Sequence, residues 1–131
     1  MKVYKFGGTS VGSPERMKEV SRLITEDGES KIVVLSAMSG TTNSLVEIAD
    51  YLRKGNPEGA SNMVNRLHNI YKQHLPLLYT NEETTNRVRE RLDNIFLQLH
   101  EFRTREFSEA DEKAILAQGE IMSTNMVTEY L

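Results

Sequence analysis

Residues 31–35, Lys31-Ile32-Val33-Val34-Leu35 (KIVVL), decide how the rest of the chain is read. The run is continuous, apolar and rich in β-branched side chains, which suits a strand buried on both faces. It leads into Ser36-Ala37-Met38-Ser39-Gly40-Thr41-Thr42-Asn43, a small, hydroxyl-rich turn, and then into a helical pattern. Upstream, Ser13-Pro14-Glu15 is a helix start: a hydroxyl cap, proline at the first helical position, then an acid. Met17, Val20, Leu23 and Ile24 recur at helical spacing, and Asp27-Gly28 ends that helix. Met1 to Phe6 reads as a strand. Strand, helix and second strand form a βαβ unit, most simply parallel and right-handed.

Downstream of residue 43 the pattern is helical only. Leu45, Ile48, Ala49 and Leu52 mark one helix, stopped near Gly55. Asn56-Pro57-Glu58 starts the next, which carries Ala60, Met63, Val64, Leu67, Ile70 and Tyr71 in period and is broken or soon ended by Pro76. Asn81-Glu82-Glu83 caps a third, with Val88, Leu92, Ile95, Phe96, Leu99 and Phe102 on one face. Ser108 to Asp111 resembles a capping box and opens a fourth. Two strands make a poor sheet without more strands or helical cover. The reading is therefore the N-terminal part of a larger α/β domain, and the alternative is a small α-rich domain with two strands laid on a helical layer.

Composition narrows the function classes. The chain has 131 residues, of which 38% are hydrophobic and 27% charged, enough for one domain with a core. A net charge of -3 gives no basic surface for nucleic acid. Without cysteine there is no disulfide framework and no thiolate zinc site. Lys2 and Lys5 interrupt any signal-peptide pattern, and no stretch reaches the roughly 18 to 20 apolar residues of a membrane helix. These features lead to the expectation of a cytoplasmic protein with neither a nucleic-acid nor a membrane partner.

Three segments could carry chemistry. The turn after the first strand is Lys5-Phe6-Gly7-Gly8-Thr9-Ser10-Val11-Gly12. Glycines admit a ligand close to the backbone, the following helix start adds partial positive charge, and Lys5 adds a full one. It matches neither GxxxxGK[ST] nor GxGxxG, so a tight turn with a solvated lysine stays open as its plain explanation. The second turn, at Ser36–Asn43, would lie on the same sheet edge if the strands are parallel. Thr42 or Asn43 could also simply cap the next helix. The third segment is Gly119-Glu120-Ile121-Met122-Ser123-Thr124, within a helix. Gly119 weakens a helix, which suggests that something approaches its backbone closely. Glu120 is either a solvated charge or a buried acid that needs a cationic partner such as a ligand ammonium. His68, His74 and His100 have no metal-ligand spacing and read as structural. Arg87, Arg89 and Arg91 read as charges spread around a solvated helix.

Taken together, KFGGTSVG, VVLSAMSGTTNSL and GEIMST resemble the catalytic domain of aspartate kinases within the amino acid kinase superfamily. The resemblance runs over essentially the whole chain. It implies an α/β fold, the N-terminal part of an αβα sandwich, with two parallel strands and about five helices here. It implies that Lys5, with Gly7, Gly8, Thr9 and Ser10, holds ATP phosphates, Lys5 also serving catalysis. It implies that Ser36, Ala37, Thr42 and Glu120 bind the substrate, Glu120 facing its ammonium group. The implied reaction moves the ATP γ-phosphoryl group to the β-carboxylate of L-aspartate. The product, 4-phospho-L-aspartate, opens the route to lysine, threonine and methionine. Mg2+ would accompany ATP, with no protein metal ligands in this chain, and the parent would be a homo-oligomer. Residues 1–131 would then be a partial catalytic domain, inactive alone, lacking the later catalytic arginine and aspartate, the nucleotide-binding half and the ACT regulatory domains. The alternatives are another carboxylate or carbamate kinase of the superfamily, and a non-catalytic anion-binding interaction module.

Overall fold

A computed structural model describes residues 2–131. The elements run β1 (Lys2–Phe6), α1 (Pro14–Thr25), β2 (Lys31–Leu35), α2 (Thr41–Arg53), α3 (Pro57–Leu78), α4 (Glu82–Glu101), a 3-10 turn (Phe102–Thr104) and α5 (Glu109–Tyr130). The expected strand start at Met1 lies outside the described residues. β1 and β2 pair in parallel, with Lys2 opposite Lys31, Lys5 opposite Val34 and Phe6 opposite Leu35. The Ser36 amide carries the ladder one step further by donating to Phe6 O at 3.0 Å.

Local chemistry sets most helix starts. Ser13, Asn56, Asn81 and Ser108 each accept, on the side chain, a backbone N–H from the first turn of α1, α3, α4 and α5. At Ser108 the box is complete, since Asp111 returns a carboxylate to the Ser108 amide at 3.1 Å. Proline stands at the first position of α1 and α3. Pro76 does not break α3, which continues to Leu78. It is exposed and near the helix end, so little hydrogen bonding is lost.

The core is mostly between helices. α2 packs on α3, α3 on α4, α4 on α5 and α5 on α2, closing a ring, while α1 lies against α3 and α5. Tyr71, Phe96, Leu45, Ile48, Leu75, Ile115 and Met122 fill the ring with essentially no exposure. Tyr79, also buried, ties α3's end to α5 by donating its hydroxyl to Met126 O at 2.5 Å.

The sheet corrects one expectation. KIVVL is covered on one face only: Leu35 is buried, whereas Ile32 and Val34 are 51% and 44% exposed, and Val3 beside them is 63% exposed. Parallel pairing puts Val3, Lys5, Ile32 and Val34 on one face, and the described helices pack on the other. Leu23 and Ile70, assigned to helix core faces by spacing, are exposed at their rims. The arginine run is not simply solvated either. Arg87 and Arg91 both bind Glu129 of α5, at 3.0 and 2.7 Å, and Glu129 is only 15% exposed.

Candidate functional site

Because the strands are parallel, both following turns emerge at the same sheet edge. The first is tight: the amides of Ser10 and Val11 both donate to Gly7 O, at 3.0 and 3.3 Å. Among the described residues, the amides of Gly8 and Thr9 donate to no backbone carbonyl. Gly7 opens onto free space, whereas Gly8 lies against Ala37 O. A Cβ on Gly12 would collide with Ser39 Oγ and come within 2.9 Å of Gly8 O. The Ser39 hydroxyl in turn donates to Gly8 O at 3.4 Å. The turns therefore touch, and glycine is what lets them. Lys5 stands exposed on the last stretch of β1, with no salt-bridge partner among the described residues.

The second turn enters α2 through Gly40, whose φ of 81° is left-handed and favours glycine. Gly40 is the N-cap and offers no side chain, so the cap reading of Thr42 and Asn43 does not hold: both lie inside the first turn of α2. Among the described residues their amides donate to no carbonyl outside the helix, leaving free N–H groups at a helix N-terminus beside the first turn. Thr41 is buried, and its Oγ1 lies 2.7 Å from the Tyr71 hydroxyl of α3. Burial pushes the Tyr71 hydroxyl up to about 12, so it stays protonated. Behind this turn is a cavity of 110 Å³ lined by Met38, Ser39, Gly40, Thr41, Tyr71 and His74, among others. His74 Nδ1 is buried there without a hydrogen-bond partner among the described residues, and desolvation holds its pKa below the usual histidine value.

The third segment meets the second. A Cβ on Gly119 would stand 2.7 Å from Ala37 Cβ, 3.2 Å from Leu45 Cδ1 and 3.3 Å from Thr41 Cγ2. The close approach expected at Gly119 is thus to the β2–α2 turn. Glu120, the next residue, is exposed, in line with the solvated-charge reading. Thr42 and Thr9 are likewise exposed, while Ser10 and Ser36 are half-buried and Ala37 is buried. So the structure brings all three segments together around Ala37, and among the described residues no hydrogen bond joins Thr42 to Glu120.

The three histidines form no common site. His68 stacks on Phe96 with ring centroids 4.3 Å apart and binds Asp93 at 2.6 Å, and His100 binds Asn65 at 2.9 Å. Among the described residues, no group of three or more His, Cys, Asp or Glu could hold a metal ion, and no helix is long and apolar enough to cross a membrane. Sequence reasoning missed the Tyr71–Thr41 bond. Tyr71 was legible as a core residue of α3, but nothing in the sequence says where its hydroxyl goes.

The model of the amino acid kinase family matches residues 1–131. Aspartokinase 2, chloroplastic, of Arabidopsis thaliana is 33% identical over 133 residues, covering 98% of this chain and 24% of that protein. Aspartate kinase of Pseudomonas putida is 54% identical over 50 residues, 36% of this chain and 12% of that protein. Among solved structures, aspartokinase III of E. coli, in complex with aspartate and ADP, superposes with a TM-score of 0.80 at 30% identity, over 99% of this chain and 28% of that one. The chain thus spans about a quarter or less of these relatives.

Proposed function

The chain belongs to the amino acid kinase family, and from that premise we propose that it is the N-terminal part of the catalytic domain of an aspartate kinase. The whole enzyme would transfer the ATP γ-phosphoryl group to the β-carboxylate of L-aspartate, giving 4-phospho-L-aspartate and ADP. The observation that carries this reading is the convergence of the β1 turn, the β2 turn and the Gly119-Glu120 step on Ala37.

Each residue has a role in that reaction. Lys5, exposed at the sheet edge, supplies positive charge to the phosphates as negative charge shifts between them. Open space at Gly7 and unpaired amides at Gly8 and Thr9 fit phosphate oxygens, with the hydroxyls of Thr9 and Ser10 beside them. The free amides at the start of α2 suit the acceptor's carboxylate end, lined by Ser36, Ala37 and Thr42. Glu120 offers its carboxylate to the substrate ammonium. The acceptor carboxylate is already ionised and is itself the nucleophile, so no side chain must remove a proton, and the residues act by positioning and charge. Mg2+ would accompany the nucleotide and offset the negative charge of its phosphates, and no residue of this chain is assigned to it.

The exposed outer sheet face, with Val3, Ile32 and Val34, supports a partial domain whose cover lies in the rest of a longer kinase. That remainder would hold the nucleotide-binding half and the ACT domains, and the parent would be a cytoplasmic homo-oligomer feeding lysine, threonine and methionine synthesis. The test is an ATP- and aspartate-dependent phosphorylation assay on the intact gene product and on residues 1–131 alone. Turnover is expected only from the intact protein, and Lys5→Ala should lower its kcat by about two orders of magnitude or more. Near wild-type turnover in that variant would remove Lys5 from the site. An intact protein that ignores aspartate would overturn the substrate.

A further inference from the structure

We infer that Tyr71, outside the three segments, is a positioning residue for the amino-acid end of the site, holding the first turn of α2 so that Thr42 and Glu120 keep their relative placement. The inference rests on the aspartate kinase reading above.

Thr41 is a junction of three helices. Its Oγ1 pairs with the Tyr71 hydroxyl of α3 at 2.7 Å, and its Cγ2 methyl lies against Gly119 of α5. Tyr71 is 1% and Thr41 2% exposed, so each hydroxyl is shielded from bulk solvent and depends on the other. The residue after Thr41 is Thr42, and the residue after Gly119 is Glu120. Whatever moves Thr41 therefore changes the separation of the two side chains assigned to aspartate.

Among the described residues the Thr41–Tyr71 bond is the one side-chain hydrogen bond between the β2–α2 turn and α3. α2 has no side-chain cap, and the Ser39–Gly8 bond is long at 3.4 Å. The 110 Å³ cavity beside Thr41 and Tyr71 gives the turn room to shift once their bond is gone. The Tyr71 ring is held separately, packed at 54° to Phe96 with centroids 5.7 Å apart, so removing the hydroxyl leaves the ring seated. At the other end, the Ser36–Phe6 ladder bond anchors the turn next to β1. A loosened Thr41 should therefore disturb aspartate binding and spare the phosphate turn.

The experiment uses the intact kinase and the variants Tyr71→Phe, Thr41→Val and their double. Each single variant keeps the shape of its side chain and strands one buried hydroxyl. Each is expected to raise the aspartate KM about tenfold while the ATP KM stays within about twofold. The double variant is expected to be no worse than either single one, because the two changes break the same bond. Thermal melting of each variant is measured alongside. A lowered melting temperature with an unchanged aspartate KM would make the bond merely structural and overturn the inference. Equal shifts in both KM values, or additive effects in the double variant, would overturn it too. A wild-type enzyme that does not phosphorylate aspartate is a separate result: it fells the proposed function and this role with it.

Discussion

Gly119 and Glu120 are neighbours that fail differently when changed. At Gly119 an added methyl would press on Ala37 Cβ at 2.7 Å, and Ala37 has no flexible end to move. Alanine gains about 1 kcal/mol in helix propensity, against about 1–3 kcal/mol for overpacking. Gly119→Ala is therefore expected to lower stability by about 1 kcal/mol, read as a lower urea midpoint. A raised midpoint would mean that α5 does not sit that close to the β2 turn. Glu120 is exposed and, among the described residues, its side chain has no hydrogen-bond or salt-bridge partner, so Glu120→Gln should leave stability within about 0.5 kcal/mol. In the proposed role its effect would fall on binding: titration calorimetry on the intact enzyme should show aspartate affinity lowered about tenfold or more, with nucleotide affinity kept. The sequence announced that something approaches Gly119, because a glycine inside a helix needs a reason. It could not name Ala37, which reaches Gly119 only once three intervening helices have packed.

Helix boundaries were the most legible elements, and the physical reason is locality. Ser13, Asn56, Asn81 and Ser108 each cap a helix with an atom three residues from its partner, so the signal is contained in a few residues. The start of α2 was left open in the sequence for the converse reason. Thr42 and Asn43 are good cap residues, but Gly40 enters the helix earlier through a left-handed turn. The arginines of α4 were misjudged because their partner is remote: residues 87 and 91 share a helix face, where Glu129 of α5 meets them. Two half-exposed guanidinium groups on one mostly buried carboxylate make a clamp between α4 and α5. Glu129→Ala is expected to cost about 1 kcal/mol at low salt. Chemical denaturation with and without 1 M NaCl checks this, since screening should shrink the difference between variant and wild type.

For the molecule as a whole, acid is the condition to test. Burial holds the pKa values of His74 and His100 below the reference value of 6.5; Glu15 opposes this at His74, while Arg103 and His68 add to it at His100. The folded state thus binds fewer protons than the unfolded state as pH falls below 6.5. Their contribution is complete above that pH and is lost as pH falls through the lowered folded values. Asp27, Asp50 and Glu19, held low by hydrogen bonds from Lys31, Lys54 and Arg22, continue the loss at more acid pH. The urea midpoint should therefore be lower at pH 5.5 than at pH 7.5, and His74→Gln with His100→Gln should narrow that gap. The α/β class, the parallel pairing and the sheet edge of the site were all readable from strand–helix–strand order. Single-sided cover of β2 was not, because an apolar run states what a strand can bury and says nothing of what is present to bury it. The ring of helices also sets a timetable. The two turns meet by closing a loop that holds little more than α1, whereas Gly119 meets Ala37 only by closing one that holds α2, α3 and α4. Local closures come before distant ones during folding. On the proposed assignment, the turn given to phosphate would thus close early and the Gly119–Glu120 step given to the amino acid last, so the two parts of the site would come into being at different moments in the life of the chain.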